Sequence, residues 1–245
     1  MTYCVAITVG QGLVFASDSL TNAGVDNIST YRKLHSFVWE GERILVLLSA
    51  GNLATTQAVV RRLETDAAAD DPDVASLKNV ADLSEAAAYI GRLSCEAQTQ
   101  HQQGQQVADV NMGASFILGG QIGQAPPVLF LIYPEGNFIA ASSEQPFLQI
   151  GEFKYGKPIL DRVIEQDTSL EDAARCAIVS LDSTMRSNLT VGPPIDLLLY
   201  ETDSLKVKVE TRYQNDDPHL KTLRQQWLQG IKRAFDELPR FDWES

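Results

Sequence analysis

Strand-like segments come first in this chain, and that order limits the folds open to it more than any other feature. Alternation of apolar and polar residues with many β-branched side chains predicts strands over Tyr3–Val9 and Leu13–Ser17, with Gly10-Gln11-Gly12 as the turn between them. Two further runs, Leu34–Trp39 and Ile44–Ser49, have the same character. A hairpin therefore opens the chain, and four predicted strands precede any helix.

Helical patterns follow, and strand patterns then return. An amphipathic helix is predicted after Gly51, and a second is predicted to begin near Asp82, whose side chain would cap it together with Glu85 three residues on. The next strands are joined by turns, one of them predicted at Gly119-Gly120 and another at Pro134-Glu135-Gly136-Asn137. These predicted strands are Ala114–Leu118, Val128–Tyr133, Phe138–Ala141 and Phe147–Ile150.

The remaining part of the chain repeats helices and then strands. Two helices are predicted over Tyr155–Gln166 and Leu170–Ser187, with Thr168 and Glu171 as a capping box for the second. The order of these blocks suits an α+β fold in which two sheets pack face to face with helices outside. No repeat or linker divides the sequence, so residues 1–245 are expected to form a single domain. The last two predicted strands are Ile195–Tyr200 and Lys206–Tyr213.

The C-terminal segment, from about residue 218 to 245, ends in an aromatic tail. A final helix is predicted over about Pro218–Leu238, with one apolar stripe, and Phe241-Asp242-Trp243 follows it. Exposed apolar clusters on globular proteins usually mark interfaces, so this tail is a candidate subunit contact. Packing of the tail against its own domain is the alternative.

Acidic residues clearly outnumber basic ones in this chain. The sequence has 32 Asp and Glu against 20 Lys and Arg, which gives a net charge of −12. Such a charge repels phosphate backbones, so a nucleic-acid partner is not expected. No apolar run approaches the roughly 20 residues that a membrane helix needs, and the first residues lack the basic stretch of a secretory signal. We therefore expect a cytoplasmic protein without a membrane partner.

Sequence motifs for several enzyme classes are absent. The chain has no GxxxxGK[ST] phosphate loop, no HExxH pair and no GxSxG elbow, and Gly10-Gln11-Gly12 lacks the third glycine of a dinucleotide fingerprint. The three histidines, His35, His101 and His219, do not lie near other ligands at metal-binding spacing. We therefore expect neither a cofactor nor a metal.

The start of the chain offers a different chemistry. Met1 precedes a small residue, so an aminopeptidase would be expected to leave Thr2 with both its hydroxyl and a free α-amine. An α-amine has an ordinary pKa of about 8, so part of it is neutral at cytoplasmic pH and can take the hydroxyl proton. Nucleophile and base would then belong to one residue. Threonine at this position carries little weight alone, because many cytosolic proteins have one.

Several short segments around the chain give Thr2 a context. Thr2 opens a strand, Arg32-Lys33-Leu34 follows a polar stretch, and Leu48-Ser49-Ala50-Gly51 precedes a helix. Between them lie Phe15-Ala16-Ser17-Asp18-Ser19 and Ala23-Gly24. In order and spacing these segments resemble the proteasome β-subunits, and most closely their bacterial Anbu type, over nearly the whole chain. The resemblance implies the four-layer αββα sandwich of the N-terminal nucleophile hydrolases. Further support comes from Tyr133-Pro134-Glu135-Gly136-Asn137, Ile150-Gly151 and Tyr155-Gly156.

The resemblance implies roles for four residues. Thr2 would be the nucleophile, and the Lys33 ammonium beside it would lower the pKa of the hydroxyl and favour a neutral α-amine. Asp18 would keep Lys33 charged and oriented. Gly51, at a strand-to-helix junction, could offer its N–H to the oxyanion. The residues alone leave other interpretations open: a surface lysine, a capping or turn aspartate, and a turn glycine.

Two positions depart from the family pattern. Ser187, within Arg186-Ser187-Asn188-Leu189-Thr190, stands where an acidic residue is expected. Glu152 follows Gly151 where many relatives have serine. The hydrogen-bond network around the α-amine must therefore differ from the usual one.

A proteasome-like threonine peptidase or amidohydrolase, acting through an acyl ester on Thr2, is the function that the resemblance implies. It also implies homo-oligomers, as a ring or an open spiral, and a peptide or small amide as substrate; an ATPase partner stays open. Two alternatives are a catalytically silent assembly scaffold, which Ser187 and Glu152 favour, and a non-peptidase amidase of the same nucleophile class.

Overall fold

The structure, a computed structural model, describes residues 1–22, 28–69, 71, 74–103 and 110–244. The Ala23-Gly24 pair lies outside the described residues. The strands are β1 Tyr3–Val9, β2 Gly12–Asp18, β3 Leu20–Asn22, β4 Ile28–Thr30, β5 Leu34–Trp39, β6 Arg43–Gly51, β7 Ala114–Ile122, β8 Val128–Ile132, β9 Phe138–Ala140, β10 Phe147–Gly151, β11 Ile195–Glu201 and β12 Val207–Tyr213. The helices are α1 Leu53–Ala68, α2 Leu83–Gln103, α3 Lys157–Val163, α4 Leu170–Ser187 and α5 Pro218–Asp236.

Two antiparallel sheets of five strands each lie at the centre of the molecule. The first sheet has the strand order β10-β1-β2-β11-β12, and the second has the order β5-β6-β7-β8-β9. Apolar side chains from the facing sides of both sheets form one buried cluster, which includes Phe15, Leu48 and Ile117. Because β2 is covered on both faces, all seven of its residues are buried. The hairpin predicted at the start of the chain is therefore the middle of the first sheet.

Helices cover the outer face of each sheet. α1 and α2 pack on the second sheet through Val59, Leu63 and Ile90, in a cluster with Leu47 and Phe116 of the strands beneath. α3 and α4 cover the first sheet in the same way, through the residues Leu160, Ala173, Ala177 and Leu181. The apolar stripe of each of these four helices is buried against the sheet beneath it. The predicted four-layer αββα sandwich is confirmed.

The turn predicted at Gly119-Gly120 is wrong, because both residues lie inside β7. A Cβ on Gly119 would lie 2.7 Å from Phe15 of the opposite sheet, and one on Gly120 would lie 1.9 Å from the Ile44 carbonyl oxygen. These glycines permit close packing within and between the sheets, a requirement that local sequence does not reveal. The chain turns at Gly123, where φ is +54°.

The helix starts were predicted with mixed success. Asp82 accepts a hydrogen bond from the Glu85 N–H at 2.8 Å, as the predicted cap of α2 requires. The capping box at Thr168 is wrong by one residue. Ser169 caps α4 by accepting from the Asp172 N–H, whereas Thr168 accepts from the Glu165 N–H and closes the preceding turn. α3 is also shorter than predicted, because it begins only at Lys157 and ends at Val163.

Six strands precede the first helix, rather than the four predicted. The additional strands, β3 and β4, pair with each other in a separate ladder and have three residues each. Such short strands contain too few residues to show alternation. They matter for the site because they connect the end of β2 to the segment that carries Lys33.

The C-terminal helix α5 rests on α4 near its own beginning. Leu220 is buried there, and Arg224 Nε donates to Asp182 Oδ1 at 2.5 Å. Beyond this contact the helix and the tail are largely exposed, including Phe235, Phe241 and Trp243, all of which expose at least 64% of their surface. The tail therefore does not pack back on its own domain. None of the helices that the structure describes is long and apolar enough to cross a membrane.

Candidate active site

A buried ion pair lies at one edge of the sandwich. Asp18 is the last residue of β2, and Lys33 directly precedes β5. The Lys33 Nζ donates to Asp18 Oδ1 at 2.7 Å and to the Leu20 carbonyl oxygen at 2.7 Å. The side chains expose only 7% and 0% of their surface, respectively. Lys33 is therefore not a surface lysine.

Asp18 accepts more than the lysine. Its Oδ1 also accepts from the Tyr3 N–H at 3.0 Å, and its Oδ2 accepts from the Gly192 N–H at 3.2 Å. Burial raises the pKa of the Asp18 carboxyl, while the Lys33 ammonium and the two N–H donors act against that rise. Asp18 thus joins β1, β2, the segment before β11 and Lys33, which is more than a turn or capping residue does.

Thr2 precedes β1 and is fixed through its main chain. Its carbonyl oxygen accepts from the Glu152 N–H at 2.7 Å, just beyond the end of β10. Gly151 has φ of +85°, and a Cβ at this position would lie 1.9 Å from the Thr2 carbonyl oxygen. Only glycine allows this approach. The position of Thr2 therefore depends on the pairing of β1 with β10.

Thr2, Lys33 and Gly51 line one pocket of about 500 Å³. Gly51 ends β6, and the next residue, Asn52, caps α1 by accepting from the Ala54 and Thr55 N–H groups. The φ of Gly51 is +110°, and a Cβ on Gly51 would lie 2.4 Å from the Gly113 carbonyl oxygen. Gly51 thus lies at a strand-to-helix junction, as expected. Other lining residues are Thr21, Tyr31, Arg32, His35, Arg61 and Glu64.

Two lining residues next to Lys33 were not singled out for the pocket by sequence. Burial, and secondarily the Arg32 charge, lowers the pKa of His35 to about 4, so the imidazole is neutral at physiological pH. Arg32 pairs with Glu210 at 3.1 Å and lies 3.8 Å from Asp196. The alternation of β5 predicts where His35 lies along a strand, but it gives no sign of a pocket.

The two departures from the family pattern behave differently. Ser187 is exposed at the end of α4. Glu152 lies close to the start of the chain, and its Oε2 accepts from Asn188 Nδ2 at 3.1 Å. Burial, and then the Lys33 ammonium, lowers the pKa of the Met1 α-amine, whereas the Asp18 and Glu152 carboxylates act in the opposite direction. A carboxylate thus acts on the Met1 α-amine, but it belongs to Glu152 after β10 and not to position 187 at the end of α4.

The chain matches a known protein family and several solved structures. The proteasome subunit family matches residues 2–198. Anbu, the ancestral beta-subunit, from Yersinia bercovieri is 46% identical, with a TM-score of 0.91 over 99% of this chain and 100% of that one. The chain belongs to the proteasome family. Within it, this chain belongs to the Anbu type, as the resemblance of its segments predicts.

Other Anbu structures have similar agreement. Anbu from Pseudomonas aeruginosa, solved as a helical assembly, is 48% identical, with a TM-score of 0.93 over 98% of both chains. A Gly-1 mutant of Anbu from Hyphomicrobium sp. strain MC1 is 46% identical, with a TM-score of 0.91 over 99% of this chain and 100% of that chain. No curated protein matches the chain. The proteasome-type fold is therefore secure along almost the whole chain.

Proposed function

We propose that this chain is an N-terminal threonine amidohydrolase, and specifically a peptidase, that acts after Met1 has been removed. The observation that carries the proposal is the position of Thr2 at the wall of a pocket that also contains Lys33 and Gly51. Lys33 is held by a buried carboxylate that accepts from three donors. A buried ammonium beside a hydroxyl favours the alkoxide and lowers the pKa of a neighbouring amine, which suits the chemistry of a threonine nucleophile.

In the first step Thr2 Oγ1 attacks the carbonyl carbon of the substrate amide. The hydroxyl proton passes to the α-amine of Thr2, directly or through one water, and the carbonyl oxygen becomes an oxyanion. The Gly51 N–H, next to the N-terminus of α1, would stabilise that oxyanion. The C–N bond then breaks, the α-ammonium returns its proton to the leaving amine, and an ester on Thr2 remains.

In the second step water hydrolyses the ester. The α-amine takes a proton from the attacking water, the hydroxide adds to the ester carbon, and the same oxyanion position is used again. Collapse of this intermediate breaks the bond to Oγ1, which recovers its proton from the ammonium. The products are a carboxylic acid and unmodified Thr2. Asp18 and the Leu20 carbonyl oxygen hold the Lys33 side chain in place through both steps.

The pocket favours a peptide over a small amide. Its volume of about 500 Å³ exceeds what a single small amide fills, and it extends from Thr2 along α1 to Arg61 and Glu64.

We also propose homo-oligomers, since the Pseudomonas aeruginosa relative forms a helical assembly. A reducing cytoplasm suits the three free cysteines, Cys4, Cys95 and Cys176.

Covalent labelling tests the proposal directly. A β-lactone is opened by a nucleophilic hydroxyl and adds its whole mass as an ester, which intact-protein mass spectrometry detects. We expect loss of Met1 and one adduct on the wild-type chain, no adduct on Thr2→Ala, and an unchanged adduct on Thr222→Ala, an exposed threonine of α5. A processed chain that never reacts at Thr2, or that reacts equally in Thr2→Ala, would instead favour the assembly scaffold.

A further inference from the structure

Glu152 is fixed to Thr2 by its main chain and to α4 by its side chain. The Glu152 N–H donates to the Thr2 carbonyl oxygen at 2.7 Å. The main chain of Glu152 therefore lies next to the start of β1. Its Oε2 accepts from Asn188 Nδ2 at 3.1 Å. Within the described residues, no hydrogen bond is made to the other carboxylate oxygen, Oε1, which leaves that oxygen able to accept from another donor.

Asn188 is itself oriented. Its Oδ1 accepts from the Thr190 N–H at 3.0 Å and from the Thr190 hydroxyl at 2.6 Å. Because both donors bind the amide oxygen, the amide nitrogen must face the other way, toward Glu152. A connected series of hydrogen bonds therefore leads from Thr190 through Asn188 to the Glu152 carboxylate, beside the first residues of the chain.

Charges from three segments act on the N-terminal amine. They belong to Lys33 before β5, Asp18 at the end of β2, and Glu152 after β10. Burial and the Lys33 ammonium favour the neutral amine, and Asp18, paired with Lys33 at 2.7 Å, offsets part of the effect of Lys33. Glu152 has a neutral partner, Asn188, so its charge is not compensated by that contact. Removal of Met1 brings the amine onto Thr2, the residue to which Glu152 is hydrogen bonded.

We propose that Glu152 is the positioning residue for the α-amine of Thr2, and that its carboxylate, oriented by Asn188, favours the protonated form of that amine against burial and the Lys33 ammonium, which favour the neutral form. This inference rests on the proposed function, in which that amine is the base. The carboxylate orients the amine toward Oγ1 and the substrate. It also stabilises the ammonium formed when the hydroxyl proton is transferred, at the expense of the neutral form that begins the reaction. The reaction therefore needs a higher pH than it would without Glu152.

The test measures the titration of the α-amine without relying on turnover. Each variant is made from a cleavable fusion that leaves Thr2 as the first residue, and its α-amine is acetylated briefly at a series of pH values. Mass spectrometry of the N-terminal peptide then gives the neutral fraction at each pH. We expect Glu152→Gln to move the midpoint to lower pH by about 1 unit, and Asn188→Ala to move it in the same direction by less. Glu135→Gln, which makes the same change of charge in an exposed turn, should leave it unchanged.

The results separate this inference from the proposed function. A midpoint that is the same in Glu152→Gln and wild type, or that moves equally in Glu135→Gln, would overturn the positioning role of Glu152. The β-lactone reaction at Thr2, followed over the same pH series, should show an acid limb that moves with the amine midpoint. If the amine midpoint moves but Thr2 is never labelled, the hydrolase proposal fails while the role of Glu152 stands.

Discussion

Among single residues, the buried ion pair of Lys33 and Asp18 is central to the site, because either charge would be strongly destabilising without the other. Lys33 and Asp18 are both buried, and each keeps the other from being an isolated charge. The main-chain donors Tyr3 and Gly192 complete the coordination of the carboxylate. The sequence resemblance predicts both residues of the pair, but the contribution of Gly192 depends on a loop 174 positions away, which no local pattern indicates.

Breaking the pair should destabilise the fold strongly. We expect Lys33→Met or Asp18→Asn to lower the free energy of unfolding by about 3–5 kcal/mol, because each leaves one buried charge uncompensated. The double variant should recover part of that loss. Lys157→Met removes an exposed pair with Asp161 and should cost only about 0.3–0.5 kcal/mol. Urea unfolding followed by circular dichroism measures all four, and equal costs for Lys33→Met and Lys157→Met would contradict the argument.

Tyr3 gives a second prediction at this scale, for alkaline pH. Burial raises the pKa of its phenol to about 12, against about 10 in an unfolded chain. The folded chain therefore holds the proton longer, so the stabilisation is complete below pH 10 and is lost as the pH rises to 12, by about 2–3 kcal/mol. Tyr3→Phe should remove this part of the loss, and Tyr155→Phe, at a half-exposed position, should not. The measurement is the free energy of unfolding in urea from pH 9 to 11.5.

Among the helices, strands and turns, the sequence predicts well those that depend only on neighbouring residues. The long strands and helices, the first helix-capping aspartate at Asp82, and the turn at Pro134-Glu135-Gly136-Asn137 agree with the structure. The errors lie where distant packing decides. Gly119 and Gly120 read as a turn, yet they lie in a strand that packs beneath Phe15. His35 lines the pocket because β5 lies beside residues of α1 in the folded chain. Glu152 approaches Thr2 only because β10 pairs with β1.

Two helical glycines should respond in opposite ways to alanine. Gly91 in α2 faces the turn after β8, and a Cβ there would lie 2.2 Å from the Gly136 carbonyl oxygen. Gly91→Ala should therefore destabilise the fold by about 1–3 kcal/mol. Among the residues that the structure describes, nothing lies within 4 Å of the corresponding position at Gly230 in α5. Gly230→Ala should stabilise it by about 0.5–1 kcal/mol, the ordinary helix preference. Thermal unfolding compares the two, and a gain for both would show that α2 moves away freely.

At the scale of the whole molecule, one side of α5 and the tail has no partner within the described chain. Ile231, Phe235 and Leu238 are exposed there, and so are the stacked rings of Phe241 and Trp243 in the tail. An apolar surface of this kind on an acidic protein favours contact with another subunit over solvent. The helical assembly of the Pseudomonas aeruginosa relative makes a second copy of the chain the occupant that we propose.

Polar substitutions on that surface should weaken assembly. We expect the double variant Phe235→Ser and Trp243→Ser to shift the proposed oligomers toward monomers, with unfolding of the monomer unchanged because neither side chain is buried. Ile139→Ser, on an exposed strand of the opposite sheet, should leave the oligomers intact. Light scattering coupled to size-exclusion chromatography gives the mass of each species. Wild-type mass distributions for the double variant would place the interface elsewhere.

The burial of Lys33 and Asp18 has a consequence for how this family diverges. Mutation of either residue is expected to reduce folding stability whether or not the chain turns over substrate, so the presence of the pair alone does not distinguish an enzyme from a silent scaffold. The Thr2 hydroxyl makes no hydrogen bond within the described part of the chain, so drift can replace it without a comparable cost. We therefore expect retention of the Thr2 hydroxyl, rather than of the charge pair, to separate chains that react with an amide from chains that only assemble.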